Sequence, residues 1–560
     1  MPPPETSPRD ARHPLRIGLL IDSFEQPNWV GAILAELRSS NFARIVLVVL
    51  NGSGGAESNG TPARAAGGLS RLAYRMYCAW DDSRFGREQD ALAPASILPL
   101  LEGVETLSIG PVRRGHQDSF RADDLSAIRS RELDVVLRFG FRPLTDESRT
   151  IARHGVWSYP LDPTRPPEAA PPGFWEVMRR SPVTETTLER EGSTGETVVL
   201  YRSLSATDPF SVRRSRDHIR GKSAAFVGRA LRDLGECRGA ISGQAPEVQG
   251  SVPPPGPGQA ILRPGNLKML RLGLGLTGRF VRDRMWRMCF TEQWALAFIL
   301  GRPAAPPGAF RIIRPPRDRS WADPFPVRHG ESYHIFLEEI PRDTGKGHIS
   351  VMTLDGTGTW GPPVKVLERD DHLAYPFVFE WSGQFFMIPE TGANRTIELF
   401  RCASFPGTWV LEKVLMRDLA ASDATLHQIE GRWWMFVTLA NAGARNTWEE
   451  LHLFHADTPL GPWRPHARNP VKSDVRSARP AGRLFQDHLG LLRPAQDCSR
   501  RYGYAIVLHR VDRLDPERFE ETEISRILPT WGRSVMATHT YNRVGDLTVV
   551  DGLLRRRRIL

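Results

Sequence analysis

Residues 320–339 read SWADPFPVRHGESYHIFLEE. A Trp-Ala-Asp-Pro opening leads into an alternating run, a glycine turn, a second alternating run and two closing glutamates. Alternation at period two on both sides of a glycine is the mark of a hairpin that buries one face. The pattern recurs: VRHGESYHIF, FEWSGQFFMI, HQIEGRWWMF, QDHLGLLRPA and NRVGDLTVV put the turn glycine at 330, 383, 431, 490 and 545, at spacings of 53, 48, 59 and 55. The tryptophans of GTGTWGPP, FPGTWVLE and LGPWRPH, at 360, 409 and 463, keep a similar period. Two markers sharing a repeat near fifty residues, with several short strands in each, predict propeller blades, because one such sheet is too small to bury its own face. Five units fill about 310–550, and FRIIRPP (310–316) is a candidate closing strand for the last blade.

In a propeller the innermost strand of each blade begins at one end of the axial channel and the next strand returns to that end. Asp323, Tyr375, Asp423 and His539, with Arg479 from the more divergent fourth unit, are therefore expected around one mouth. The returning strands add Glu338 and Glu339, Glu390, Gln496 and Asp497. Asp323 is the candidate base or hydroxyl ligand and Asp423 the second carboxylate. Arg479 suits an anionic group. Glu339, Tyr375, Glu390, Gln496, Asp497 and His539 are candidates for substrate binding. Each residue alone also fits a turn former or a satisfied contact between blades. As a set they point to a ligand, since like charges converging on one concavity are costly.

The first part of the chain has another texture. LRIGLLIDSF, NWVGAILAELRSS and ARIVLVVLN are a continuous apolar strand, an amphipathic helix and a second apolar strand, the mark of a parallel sheet covered on both faces. ADDLSAIRSREL and DVVLRFGF continue the alternation. The expected organisation is a disordered tail (1–14), an α/β domain (15–235), a Gly/Pro-rich flexible linker (236–262), a basic helical connector (263–305), an all-β five-bladed propeller (306–552) and a basic tail (553–560).

Two resemblances sharpen this reading. WADPFPVRHGESYHIFLEE resembles the first blade of five-bladed propeller glycosidases, in which an aspartate before proline is the catalytic base, a second-blade aspartate tunes a pKa and a third-blade glutamate is the general acid. Asp323 matches the base, whereas Tyr375 and Asp423 stand where the other two carboxylates are expected, which puts simple hydrolysis in doubt. TEQWAL, WADPF, SARPAGRLF, LLRPAQDCSRRYG and THTYN together resemble the propeller domain at the N-terminus of plant glucosamine inositolphosphorylceramide transferases, a domain also found in many bacterial proteins. That resemblance, over about 291–552, implies a bacterial glycan-assembly protein, glycosyltransferase-like, that binds a saccharide or activated sugar. The alternatives are a non-catalytic saccharide-binding or scaffold module and a glycoside hydrolase. LDVVLRFGFRPL, ARHGVWSYP and PPGFWEVMRRSPVTETTL resemble the formyltransferase family that includes methionyl-tRNA formyltransferase, implying a Rossmann-like fold over about 15–205. Ser158 and Pro160 replace that family's active asparagine and histidine, and proline can neither give nor take a proton. The resemblance thus implies a catalytically degenerate domain.

Composition bounds the rest. The chain has 560 residues, 74 basic against 64 acidic, and a formal charge of +10. That balance suits phosphates, anionic sugars or an acidic membrane surface, although the cations are nearly all arginine, as a GC-rich genome leaves them. Five scattered cysteines argue against a disulfide framework or a zinc site. No metal or cofactor is expected. GLGLTG (273–278) fits a dinucleotide motif only between a strand and a helix, and NLKMLRL precedes it. The surrounding NLKMLRLGLGLTGRFVRDRMWRMCF suits either an amphipathic segment on anionic lipid or a helix packed between domains. No RNA-binding signature is present, so no nucleic-acid partner is expected. Proline and charge where a signal peptide needs an apolar core predict a cytoplasmic protein, peripheral at the inner membrane face.

Overall fold

The computed structural model describes residues 13–52, 69–86, 91–160, 169–192, 195–236, 262–301, 310–440 and 446–558. The chain divides into two compact units, Met1–Ser203 with Asp208–Leu276, and Leu204–Thr207 with Thr277–Leu560. Most of the expected N-terminal tail and most of the expected linker lie outside the described residues.

The first unit is α/β. Its strands are β1 (Leu15–Ile21), β2 (Ala43–Asn51), β3 (Glu105–Ile109), β4 (Val135–Arg138), β5 (Val156–Ser158), β6 (Val183–Glu191) and β7 (Thr197–Ala206), in the sheet order β7-β6-β5-β4-β1-β2-β3. Strands β3, β2, β1, β4 and β5 are parallel, and their apolar runs are buried as a sheet covered on both faces requires. The expectation of a parallel sheet stops there. β6 runs antiparallel to β5, so the sheet is mixed, in keeping with the alternating rather than continuous pattern of VTETTLERE. Helices α1 (Asn28–Ser39), α2 (Leu72–Phe85), α3 (Ala122–Arg129) and α4 (Val212–Glu236) accompany the sheet. The face of α1 made by Trp29, Val30, Ile33, Leu34 and Leu37 is buried in the core with Phe226, Val227 and Leu231 of α4. Helix α5 (Asn266–Cys289) carries the chain into the second unit. GLGLTG lies inside α5, not between a strand and a helix, so the dinucleotide motif has no structural basis.

The second unit is a five-bladed propeller. Blade 1 is Arg319–His329, Ser332–Pro341, His348–Leu354 and Val364–Leu367; blade 2 is Ala374–Trp381, Gln384–Thr391, Thr396–Ser404 and Thr408–Arg417. Blade 3 is Ala421–Ile429, Arg432–Leu439, Glu450–Ala456 and Arg464–Pro465, with Lys472–Ser473 also on its third strand. Blade 4 is Phe485–Asp487, Gly490–Asp497, Ala505–Leu514 and Phe519–Ile527. All five repeat glycines have positive φ, from 54° to 114°. At Ser382-Gly383 and Glu430-Gly431 two consecutive left-handed residues join the strands, the turn whose twist matches that of a hairpin. The repeat tryptophans pack against the preceding blade: Trp409 lies 5.5 Å from Phe336, and Trp360 lies 5.9 Å from Phe298.

Blade 5 is woven from two distant segments. Val535–Ala537 and Tyr541–Val544 pair with Leu547–Arg557, which pairs along eleven residues with Phe290–Leu300. Arg311–Ile313 is the outer edge, as expected for FRIIRPP. Two expected boundaries change. The propeller begins at Phe290, inside the stretch assigned to a helical connector, and Leu553–Arg557 belong to a strand instead of a basic tail. The reason is visible in the register: Glu292 pairs opposite Arg555, and Leu296 and Phe298 are fully buried. Replacing Phe298 by alanine in this closing strand should cost about 3–5 kcal/mol in the propeller's urea transition. Leu411→Ala, on an exposed outer strand, should stay within about 0.5 kcal/mol.

Candidate functional site

Three inner strands share one distortion. Asp323, Tyr375 and Asp423 have φ of 50°, 43° and 58°, each at a register shift in the pairing with the following strand. Left-handed backbone is uncommon outside glycine, tolerated by aspartate and costly for tyrosine, and is kept where the surroundings over-determine it. The repeat thus places one polar side chain per blade at equivalent points, and Arg479 and His539 complete the ring; all five are buried.

Asp323 is held from several sides. Its carboxylate accepts from Thr540 Oγ1 at 2.6 Å and the Tyr375 backbone N–H at 3.2 Å, and lies 3.2 Å from His539 Nε2. His539 Nδ1 lies 2.8 Å from Asp551, whose carboxylate also accepts the backbone N–H groups of Asp323, His539 and Thr540 at 3.1, 2.8 and 3.1 Å. Burial opposes both charges. It is outweighed: Asp551 and Asp323 hold His539 well above its ordinary range, and His539 with Thr540 holds Asp323 below its own. Among the described residues only Asp323, His539 and Asp551 gather ligand atoms closely enough for a cation, within 4.8 Å of one another. Each ring nitrogen lies within ion-pair distance of its own carboxylate, Nε2 at 3.2 Å from Asp323 and Nδ1 at 2.8 Å from Asp551, although Nδ1 has no hydrogen-bond geometry to it.

Across the axis, Arg479 grips Asp423 through Nε at 2.6 Å and Nη2 at 3.1 Å, and reaches Glu390 at 3.3 Å. Gln496 donates to Asp423 at 2.9 Å. Burial pushes Asp423 well above its usual range, Arg479 pulling it back and the Glu390 and Asp323 carboxylates adding to the rise. The Tyr375 hydroxyl is 2.8 Å from Thr425 Oγ1 and accepts from the Gly482 N–H at 2.8 Å. It stays protonated, because burial pushes it well above its ordinary value. Asp423 accepts from Arg479 twice and from Gln496, so one buried carboxylate is answered by an imidazole and the other by a guanidinium.

Seven of the nine sequence-proposed residues therefore meet: Asp323, Tyr375, Glu390, Asp423, Arg479, Gln496 and His539. Glu339 and Asp497 do not. Neighbours on a strand point to opposite faces, so Glu338 turns inward, where burial and Asp323 raise its pKa against its 2.9 Å contact with His372. Glu339 faces away, bonded to Arg319 at 2.8 Å and Ser350 at 2.7 Å, in a separate cleft of about 680 Å³ with Trp321 and Trp360. Asp497 bonds Arg526 at 2.9 Å, while its neighbour Gln496 faces Asp423. Asp551, a lone acid in the apolar run LTVVDGLL, was readable as an inward group. Less readable were three half-buried rings over the cluster: Trp294 lies 4.2 Å from His539, Tyr502 lies 5.4 Å from His539, and Trp448 lies 5.5 Å from Tyr502.

The class defined by this geometry is a five-bladed β-propeller with a buried axial charge cluster and an aromatic roof. Residues 317–545 match the family model for the glucosamine inositolphosphorylceramide transferase 1 N-terminal domain. The chain is 36% identical over 207 residues to glucosamine inositolphosphorylceramide transferase 1 of Oryza sativa subsp. japonica, and 32% over 206 to that of Arabidopsis thaliana. Each match covers 36% of this chain but only 28% and 27% of the plant proteins. Among solved structures, Zg3597, a family 117 glycoside hydrolase of Zobellia galactanivorans, is 13% identical with a TM-score of 0.31, covering 47% of this chain and 90% of its own. The GH43_1 enzyme of Xanthomonas citri complexed with xylotriose is 11% identical with a TM-score of 0.32, covering 41% and 82%. At those scores the likeness carries no functional information.

Two outcomes test the electrostatics. Arg479→Met strands Asp423 and Glu390 and should cost about 3–5 kcal/mol in urea unfolding, part of it recovered in the double variant with Asp423→Asn. For pH, His539 is raised above its unfolded value of 6.5, so its stabilisation is complete below pH 6.5 and is lost as pH rises through the folded pKa. Asp323 is lowered, so its share is present above pH 3.8 and is lost as pH falls below it. Asp423 and Glu338, both raised, cost stability once pH climbs past the ordinary carboxylate range. The urea midpoint should therefore fall as pH rises above 6.5, and His539→Gln should flatten that fall.

Proposed function

We propose that this chain is a glycan-assembly protein, glycosyltransferase-like, whose propeller holds a sugar-bearing ligand against the axial cluster. The observation that carries the reading is the pairing of Trp294, Tyr502 and Trp448, partly exposed, with buried, charge-tuned polar groups beneath them. Ligand sites combine apolar and aromatic walls with a few placed polar groups, and a pyranose presents both kinds of surface. The family match over 317–545, which includes Tyr502, Trp448 and most of the cluster but not Trp294 or Asp551, supports it, since the matched plant proteins are named for a sugar-lipid transfer. Asp323, held ionised, is the base that would accept a proton from an acceptor hydroxyl, and Asp423, gripped by Arg479, is the second carboxylate facing the ligand. Hydrolysis is the weaker fit, because the second-blade residue is Tyr375 and its hydroxyl is already engaged by Thr425 and Gly482.

A second reading, a non-catalytic saccharide-binding module, is favoured by the bidentate Arg479–Asp423 pair, which occupies the carboxylate a reaction would use. In either reading the first domain is proposed to be a degenerate formyltransferase-like fold. Ser158, at that family's asparagine position, presents a hydroxyl that accepts from Arg138 at 3.0 Å, Arg138 being itself ion-paired with Glu191, and Pro160 stands at the histidine position. A cytoplasmic setting belongs to the same proposal.

Titration of the full chain with mono- and oligosaccharides and nucleotide-activated sugars should show binding that Trp294→Ala weakens roughly tenfold. Asp323→Asn should keep binding and lose at least about 100-fold in transfer. Binding without transfer by the parent chain would leave the module reading; no binding of any saccharide would end both.

A further inference from the structure

Helix α5 carries an apolar stripe on its open side. Leu267, Leu270, Leu274, Val281, Met285 and Met288 are between 48% and 74% exposed. At 3.6 residues per turn these six positions fall within an arc of about 60°. Along the first half of the helix the opposite side is packed: Met269 and Leu276 are buried there, Met269 in one cluster with Tyr74 of α2, whereas Phe280 farther along that side is 58% exposed. Helix α2, tied to α5 by the bond from the Ala73 N–H to Asn266 at 3.0 Å, exposes a line of its own, Leu72, Met76 and Trp80. Large apolar side chains lined up in this way mark an interaction surface, because isolated exposure is ordinary and a contiguous stripe is not.

The flanks of the stripe identify the occupant. Arg271 and Arg282 border it on one side and Arg284 on the other; all three are exposed, and no ion pair holds them among the described residues. Asp283, the single acid of the helix, is already bonded to Arg287 at 2.8 Å. A second copy laid along the stripe would set these guanidinium groups against their own counterparts, which is repulsive. No helix of the described residues is long and apolar enough to cross a membrane. An apolar strip bordered by cations whose long stems reach outward fits the boundary between acyl chains and anionic headgroups.

We propose that α5 docks the protein on a bilayer surface carrying anionic lipid, its stripe lying in the plane of the interface and Arg271, Arg282 and Arg284 facing the headgroups. This goes beyond the saccharide reading and does not depend on it. It selects the lipid surface from the two roles the sequence left open for this segment, against the packed connector.

Co-sedimentation of the full chain with vesicles tests it. Vesicles of phosphatidylcholine with 30% phosphatidylserine should bind roughly 100-fold more tightly than pure phosphatidylcholine, the difference shrinking as salt rises. Leu274→Glu with Met285→Glu should abolish binding with no change in thermal midpoint, since both sites are exposed. Arg271→Glu with Arg282→Glu and Arg284→Glu should erase the preference for phosphatidylserine. The proposal is overturned if neither vesicle binds, if both bind equally, or if the double apolar variant binds as the parent does. It is also overturned if light scattering shows a dimer that Leu274→Glu dissociates in a protein that ignores vesicles, which would assign the stripe to a second copy.

Discussion

Charge taken out of water has to be answered by opposite charge, and the axis of this propeller is organised around that requirement. Asp323, Asp423 and Asp551 are buried within a few ångströms of His539 and Arg479. Removing one member of such a set is expensive because it leaves its partner stranded. Each blade contributes one of the five polar groups of the ring, so the cluster is a constraint on all five sheets at once. The left-handed backbone at three equivalent positions shows the constraint acting locally, where strain in the first strands is tolerated because the hydrogen bonds at their ends require it.

Much of the propeller was legible because its repeat is physical. A hairpin with positive φ at its turn selects glycine, and a blade that packs on its neighbour through a large ring selects tryptophan, so glycines 330 to 545 and Trp360, Trp409 and Trp463 mark the same period. The segments that complete blade 5 were harder to place. Phe290–Leu300 follows the basic helix α5 without a break, and Arg555 to Arg557 read as a charged tail because a sequence window does not see the strand opposite. In the first unit, apolar runs identified the parallel strands, but the reversal at β6 depends on tertiary pairing and not on composition.

The site was half legible for a simpler reason. Spacing from the turn glycine finds the end of a strand but does not say which of two adjacent residues faces inward, and a one-residue error changes the face. Both members of each pair were expected at the mouth; Glu338 and Gln496 face the axis, and Glu339 and Asp497 face away from it. The aromatic roof has no marker in the repeat. Trp294, Trp448 and Tyr502 come from three different blades and share no offset from any marker.

The weaving of blade 5 has a consequence for how the ring is made. Phe290 leaves the ribosome early and must wait for Arg557, its partner in the ladder, so the first strand of the propeller to be synthesised is unpaired along this edge until the last one appears. Contacts at such separation in the chain form slowly, and an unsatisfied strand edge invites pairing with the wrong molecule in the interval. A nascent chain of this protein is therefore most vulnerable to misassembly while four sheets exist and the fifth does not, and chaperone protection during translation would matter most in that window.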